Sequence, residues 1–179
     1  MGADAVGIGT DGLTWFNELP TRAVQQALLE CCAAPRWAEQ MAAARPYASA
    51  EAAIRQSRAI VASLTVTELA EALAGHPRIG ERPDGGGTSQ AAGWSGREQS
   101  GVDPGDATTA RALAEANLEY ERRFRHIYLV CASGRTGNEL LAVLRGRLQN
   151  EPDQEWHVVR TELQKINALR LQRLMAGLP

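Results

Sequence analysis

The stretch from Pro152 to Met175, PDQEWHVVRTELQKINALRLQRLM, decides the fold class. At the helical spacing of about 100° per residue, one apolar face recurs along it. That face consists of Trp156, Val159, Leu163, Ile166 and Leu174. Pro152 can begin a helix, because the backbone N–H groups of a first turn have no partner within the helix and proline lacks only that group. The stretch is therefore predicted to be a long helix that packs against other helices.

Helical periodicity also dominates the rest of the chain, and no clear alternating strand pattern competes with it. Helices are predicted at roughly 20–31, 35–41, 49–63, 66–74, 94–99, 106–124 and from 137 onward. Capping boxes are predicted at Thr65-x-x-Glu68 and Thr136-x-x-Glu139, and Gly75 is a natural helix stop. We predict an all-α fold, a single-domain helical bundle of about seven to nine helices. Residues 1–14 are predicted to be a flexible leader, residues 15–176 the helical domain, and residues 80–93 a loop or lid.

Composition excludes several function classes. The chain has 179 residues and a formal net charge of -2, so it lacks the basic field that nucleic-acid binding needs. No apolar run approaches the roughly 20 residues of a membrane span. Cys31 and Cys32 are adjacent and Cys131 is remote, which favours reduced thiols and a cytoplasmic location.

Metal and nucleotide chemistry are poorly supported by the motifs. The three histidines and three cysteines show none of the spacings typical of zinc sites. The glycine run at residues 85–87 lacks the Lys-Ser/Thr of a phosphate loop, and no Gly-x-Ser-x-Gly elbow is present. We therefore expect no metal and no cofactor.

Arg170 lies in the middle of the apolar face of the last predicted helix. A guanidinium does not enter a core unpaired, because its desolvation costs several kcal/mol. Three interpretations remain open: a buried carboxylate neutralises it, it faces a pocket that holds an anion, or its stem covers the core while its head reaches water. Asn117 poses a similar question among apolar residues, and we expect it to bond to a neighbouring helix.

His76 follows the predicted helix stop and precedes Pro77, which restrains the histidine to an extended backbone. Imidazole exchanges protons near neutral pH, so this stiff corner suits a general acid or base, and an exposed loop histidine is the simpler alternative. Glu98 lies four residues after Trp94, and a helix would place the carboxylate beside the indole. Partial desolvation would raise the pKa of that carboxyl group, whereas a solvated helix surface is the simpler alternative.

These segments together resemble the family of 2-oxo-4-hydroxy-4-carboxy-5-ureidoimidazoline (OHCU) decarboxylases. The resemblance covers about Trp15 to Leu174. The matching pieces, in chain order, are Phe16-Asn17-Glu18-Leu19-Pro20, Cys31-Cys32 with Trp37 downstream, His76-Pro77-Arg78-Ile79-Gly80, Trp94-Ser95-Gly96-Arg97-Glu98-Gln99, Asn117 with Tyr120 and Phe124, Val130-Cys131-Ala132-Ser133-Gly134-Arg135, and Glu162-Leu163 through Ile166 to Leu169-Arg170-Leu171.

The resemblance implies an all-helical, cofactor-free homodimer that converts OHCU to (S)-allantoin in urate breakdown. It implies that His76 is the catalytic acid or base and that Glu98 and Arg170 are its polar partners. The implied substrate-binding residues are Pro77, Ser95, Gly96, Arg97, Glu98, Gln99, Tyr128, Leu129, Val130, Cys131 and Ala132. The implied partner is this small-molecule substrate, with neither nucleic acid nor membrane.

One departure from the family pattern concerns Arg125, since the family often has glycine directly after the phenylalanine at this point. Arg125 removes that glycine and is expected to reshape the helix end. Two other functions fit the sequence. A non-catalytic helical binding module would use exposed Trp15 and Trp37 together with the leader, and a hydrolase of a related ureide would use Glu98 to activate water.

Overall fold

The computed structural model describes residues 10–80, 93–94 and 107–176. Over these ranges the longer elements are all helices, which confirms the predicted all-α, single-domain fold. Their bounds are α1 Thr10–Glu18, α2 Thr21–Cys31, α3 Pro35–Ala43, α4 Ala50–Ser63, α5 Val66–Ala74, α6 Ala107–Phe124, α7 Gly137–Arg147 and α8 Pro152–Met175. None of the described helices is long and apolar enough to cross a membrane.

Helix α8 is the element around which the others pack. It lies against α4 along much of its length and also contacts α1 and α2. Val159 and Leu163 on its predicted apolar face are fully buried, whereas Trp156 is only partly buried. A second apolar cluster joins α6, α7 and the segment 128–132. Burial of this long helix follows directly from its apolar periodicity.

Helix α1 begins at Thr10, inside the segment 1–14 that the sequence analysis assigned to a flexible leader. The physical reason is close packing against the end of α8. A Cβ at Gly12 would lie 1.7 Å from the Met175 carbonyl oxygen, so only glycine allows this approach. Phe16 on the same helix is fully buried. The helical domain therefore starts before residue 15.

Both predicted capping boxes are present. In α5 the Glu68 amide donates to Thr65 Oγ1 at 3.3 Å, and the Thr65 amide donates back to Glu68 Oε2 at 2.7 Å. The same reciprocal pair joins Thr136 and Glu139 at the start of α7. Each box satisfies two amides that a helix start leaves without intrahelical partners.

Helix α6 ends at Phe124, the end predicted from the sequence. Arg125 follows with φ of 64°, the left-handed conformation that usually ends a helix on glycine. The expected reshaping of this helix end is therefore wrong, because Arg125 adopts the backbone that glycine would adopt.

The tryptophans that a binding module would display differ in exposure. Trp15 is 46% exposed, but Trp37 is fully buried. The Trp37 indole Nε1 donates to Ser57 Oγ at 3.0 Å, which satisfies its one polar atom inside the core. Trp37 is therefore a core residue, and the expectation that it is exposed is wrong.

Candidate functional site

The end of α5 lies directly against the turn that follows α2. A Cβ at Gly75 would lie 2.8 Å from Ala33 Cβ, so a larger residue would push the two segments apart. The next residue is His76, whose amide closes the helix by donating to the Leu73 carbonyl at 3.0 Å. The helix stop predicted from sequence thus places His76 beside the C-terminal end of α2.

The His76 ring is held in one orientation. Its Nδ1 lies 3.0 Å from the Ala72 carbonyl oxygen. A carbonyl only accepts, so Nδ1 carries the hydrogen of the neutral ring and Nε2 keeps its lone pair. Nε2 is inaccessible to solvent and has no hydrogen-bond partner among the described residues. The exposed loop histidine that the sequence also allowed is therefore wrong.

Burial and, to a smaller extent, the nearby Arg170 guanidinium lower the pKa of His76 from its ordinary value to about 3, although the Ala72 carbonyl opposes both effects. The imidazole is thus neutral across the physiological range. A neutral imidazole with a bare, buried Nε2 can accept a proton from a bound molecule and return it.

Arg170 is 1% exposed, although the sequence allowed its head to reach water. Its Nη1 donates to the Cys31 carbonyl oxygen at 3.1 Å. Cys31 is the last residue of α2, where the helix dipole and unpaired carbonyls favour a cation. Arg170 therefore stabilises the end of α2 while its charge acts on His76.

Cys32 and Asn167 belong to the same cluster. Burial raises the pKa of the Cys32 thiol, and the Asn167 amide and the Arg170 charge partly oppose this. Asn167 is fully buried, and apart from its weak interaction with the Cys32 thiol neither of its amide atoms has a hydrogen-bond partner among the described residues. The sequence analysis did not single out Asn167. Asn167 lies four residues after Leu163, on the same apolar face of the helix. The argument used for Arg170, that a polar residue on an apolar face needs a partner, would therefore have identified it.

The segment 128–132, predicted to bind substrate, is pinned from two helices. Arg147 Nη1 on α7 donates to the Leu129 carbonyl at 2.7 Å. Glu162 Oε2 on α8 accepts from the Cys131 amide at 2.9 Å. Two buried side chains, one from each helix, thus fix the backbone of this segment.

The side chains of this segment alternate between the two apolar clusters. Leu129 and Cys131 pack in the cluster that contains Cys31 and Cys32. The residues on the opposite side, in the cluster of α6 and α7, are Tyr128, Val130 and Ala132. The Tyr128 hydroxyl donates to the Leu140 carbonyl at 3.2 Å, so this phenol is engaged with α7. Leu129 and Cys131 therefore face the cluster that contains the end of α2, and the other three side chains face away from it.

The residues after His76 are anchored to α6. Pro77 is partly buried. The Arg78 Nη2 donates to Glu121 Oε2 at 2.8 Å. The Asn117 Nδ2 donates to the Ile79 carbonyl at 2.9 Å, so its partner is this loop and not the neighbouring helix that we expected. These bonds make the corner that carries His76 rigid.

The predicted site residues Ser95, Gly96, Arg97, Glu98 and Gln99, and most of the helix predicted at 94–99, lie outside the described residues. Trp94 is described and fully buried in the cluster that contains Cys31 and Cys32. Its position places the start of this segment against the same core as Arg170's helix. Within the described ranges, no group of three or more potential ligands could hold a metal ion.

The OHCU decarboxylase family model matches residues 17–172. The chain belongs to the OHCU decarboxylase family. A relative from Amia calva, named 2-oxo-4-hydroxy-4-carboxy-5-ureidoimidazoline decarboxylase, is 30% identical over 131 residues, which cover 73% of this chain and 75% of that protein. The bifunctional uric acid degradation protein TTL of Arabidopsis thaliana is 35% identical over 147 residues. That match covers 82% of this chain but only 45% of the Arabidopsis protein.

Solved structures of this family and of its fold are also similar. An OHCU decarboxylase crystallised in the presence of (S)-allantoin superposes with a TM-score of 0.70 at 30% identity, covering 83% of this chain and 97% of that one. A structure titled (S)-allantoin synthase has a TM-score of 0.64 at 17% identity and covers 90% of this chain and 53% of that one, which supports the fold alone.

Proposed function

We propose that this OHCU decarboxylase family member converts OHCU to (S)-allantoin and carbon dioxide, as a carboxy-lyase of urate breakdown. The observation that carries the proposal is the buried, neutral imidazole of His76, whose bare Nε2 lies within the electrostatic reach of the Arg170 guanidinium. This reaction requires a cation that binds the anionic substrate and a base that transfers one proton.

The reaction needs no external electron sink. The bond between ring carbon 4 and the carboxylate carbon breaks, and its electron pair moves through the ring into the C=N bond. The ring nitrogen takes a proton from solvent, which leaves an enol. Transfer of the 4-hydroxyl proton to carbon 5 then gives the ring carbonyl group at carbon 4 of allantoin.

In this scheme His76 performs the proton transfer. Its Nε2 accepts the 4-hydroxyl proton and delivers it to one face of carbon 5, which fixes the S configuration. Because Nδ1 is tied to the Ala72 carbonyl, the ring presents Nε2 in a fixed direction. Fixed direction matters, since selective protonation of one face depends on orientation more than on basicity.

The other predicted site residues have supporting roles in this proposal. Arg170 neutralises the anionic part of the substrate. Glu98 orients His76 or bonds to the hydroxyl or ureido group. The remaining ligand contacts come from Pro77, Ser95, Gly96, Arg97, Gln99 and the segment 128–132, whose rigid backbone supports this role.

The test uses OHCU made freshly by enzymatic oxidation of urate followed by the preceding hydrolase. Trapped carbon dioxide and the circular dichroism of the product are followed together. We expect carbon dioxide release above the spontaneous rate and a product enriched in (S)-allantoin. A hydrolase would release ammonia or a ring-opened product, and a binding module would leave the spontaneous rate and a racemic product unchanged.

We also propose that the chain is a cytoplasmic homodimer. The three cysteines form no disulfide bond within the described residues, which suits a reducing compartment. Trp15 and Leu118 are large apolar side chains that are 46% and 50% exposed, and an interface would cover them. Light scattering after size-exclusion chromatography should give twice the chain mass of 19.3 kDa. A single-chain mass would contradict the dimer.

A further inference from the structure

Asn167 is a buried polar side chain that the proposed reaction leaves unexplained. It is fully buried in α8, and apart from a weak interaction with the Cys32 thiol both Nδ2 and Oδ1 are without a hydrogen-bond partner among the described residues. A buried amide without partners costs free energy comparable to a lost hydrogen bond for each unmet atom. Such a group is retained where it binds something.

Its position places it in the candidate site. Asn167 precedes Arg170 by three residues on α8, and side chains at this spacing are neighbours on one helix face. The Cys32 thiol interacts with both side chains, and the Arg170 charge acts on His76. Asn167 therefore belongs to the same buried cluster as the proposed proton carrier.

A purely structural role for Asn167 would be to hold the Cys32 thiol. A thiol is a weak hydrogen-bonding group, and burial keeps this one protonated by raising its pKa. One weak bond leaves most of the bonding capacity of a primary amide unused, because the amide offers two donor hydrogens and a carbonyl oxygen. The thiol alone does not account for an amide at this position.

We propose that Asn167 is a specificity-determining residue whose amide binds the ureido group of the substrate beside the anionic group held by Arg170. An amide presents a donor and an acceptor side by side, which matches the N–H and C=O of a ureido group in two parallel hydrogen bonds. The substrate carries its carboxylate on carbon 4 and its ureido group on carbon 5, so adjacent substituents meet adjacent side chains. This inference rests on the proposed function.

The experiment compares two ligands that differ only in the ureido group, (S)-allantoin and hydantoin. Their dissociation constants are measured by calorimetry for the wild type, Asn167→Leu and Asn167→Ala. We expect the wild type to prefer allantoin, and both variants to lose that preference by about tenfold to a hundredfold, the worth of two hydrogen bonds. The KM for OHCU should rise more than kcat falls. Gln172→Ala, on an exposed position of the same helix, is the matched control and should behave as the wild type.

Thermal unfolding separates binding from a structural role. Because leucine replaces unmet polar atoms by apolar ones of similar size, a ligand-binding amide predicts an equal or higher Tm for Asn167→Leu. An unchanged allantoin-to-hydantoin ratio in both variants would overturn the inference, and so would a lower Tm with equal weakening of both ligands. If the wild type fails to release carbon dioxide, the proposed function fails first. An active wild type with an unchanged ratio rejects only the role of Asn167.

Discussion

Two buried arginines, Arg147 and Arg170, lie in differently built surroundings. Arg147 on α7 donates through Nε to Glu155 at 2.7 Å, and Asn150 Nδ2 donates to the same carboxylate at 2.7 Å. The Tyr120 hydroxyl donates to it as well, so these four side chains are paired with one another. Around Arg170, by contrast, His76 Nε2 and the Asn167 amide are buried and lack hydrogen-bond partners among the described residues.

This difference helps to distinguish buried polar groups that stabilise the fold from buried polar groups that can bind a ligand. A buried charge that is fully paired holds elements together and leaves nothing to bind a ligand. A group of buried polar atoms without partners beside a buried charge is a candidate place for another molecule to complete the bonding. The Arg147 cluster fixes the segment 128–132, and the Arg170 cluster is the candidate site. Substitutions in the two clusters should therefore affect different properties, stability for the Arg147 cluster and catalysis for the Arg170 cluster.

The largest expected effect is on catalysis, in His76→Ala. Loss of the proton carrier should lower kcat for OHCU by roughly 10²–10⁴-fold, because general acid–base catalysis contributes about that much. The product should lose its excess of the S form. His157→Ala, at an exposed position, is the control and should keep both rate and configuration. Full activity and enantiomeric purity in His76→Ala would remove His76 from the mechanism.

The next effect is on stability, in Glu155→Gln. Removing the carboxylate leaves the buried Arg147 charge without its counterion, and breaking such a pair costs about 3–5 kcal/mol. The free energy of unfolding, measured with urea, should fall by that order. Glu119→Gln, at an exposed position of α6, should change it little. A small loss in Glu155→Gln would mean that the paired cluster is not the structural one.

Acid should destabilise the protein partly through His76. Its pKa is about 3 in the folded protein and near 6.5 when unfolded, so the unfolded chain binds more protons between these values. The contribution of His76 to stability is present above about pH 6.5 and is lost as the pH falls toward 3. The unfolding free energy of His76→Gln should therefore depend less steeply on pH than that of the wild type in this window. Parallel curves for the two proteins would contradict a neutral, buried imidazole.

The smallest effect is expected at Arg125, next to the paired region. A non-glycine residue at φ of 64° is strained, and glycine relieves the strain at a smaller entropic cost. Arg125→Gly should raise the unfolding free energy by about 0.5–1 kcal/mol and leave kcat unchanged. Arg122→Gly, inside α6, should lower the unfolding free energy by about 1 kcal/mol. If both variants are destabilised, the strain at Arg125 is not relieved by glycine.

Much of the fold could be predicted from local signals. The capping boxes at Thr65 and Thr136, the stop at Gly75 and the face of α8 are short-range patterns, and each is confirmed. Helix α1 was missed because its reason is the contact of Gly12 with Met175, which is remote in sequence. Trp37 was misjudged for the same reason, since its partner Ser57 belongs to another helix.

The sequence by itself determined the all-α class, most helix bounds and the resemblance to OHCU decarboxylases, because these depend on periodicity, caps and motif order. It also marked Arg170 as misplaced in an apolar face. Only the tertiary structure decided that Arg170 is buried at the end of α2, that its charge acts on His76, and that Asn167 shares their cluster. The physical reason is that desolvation and unmet hydrogen bonds depend on which remote segments pack together, and no local pattern records that.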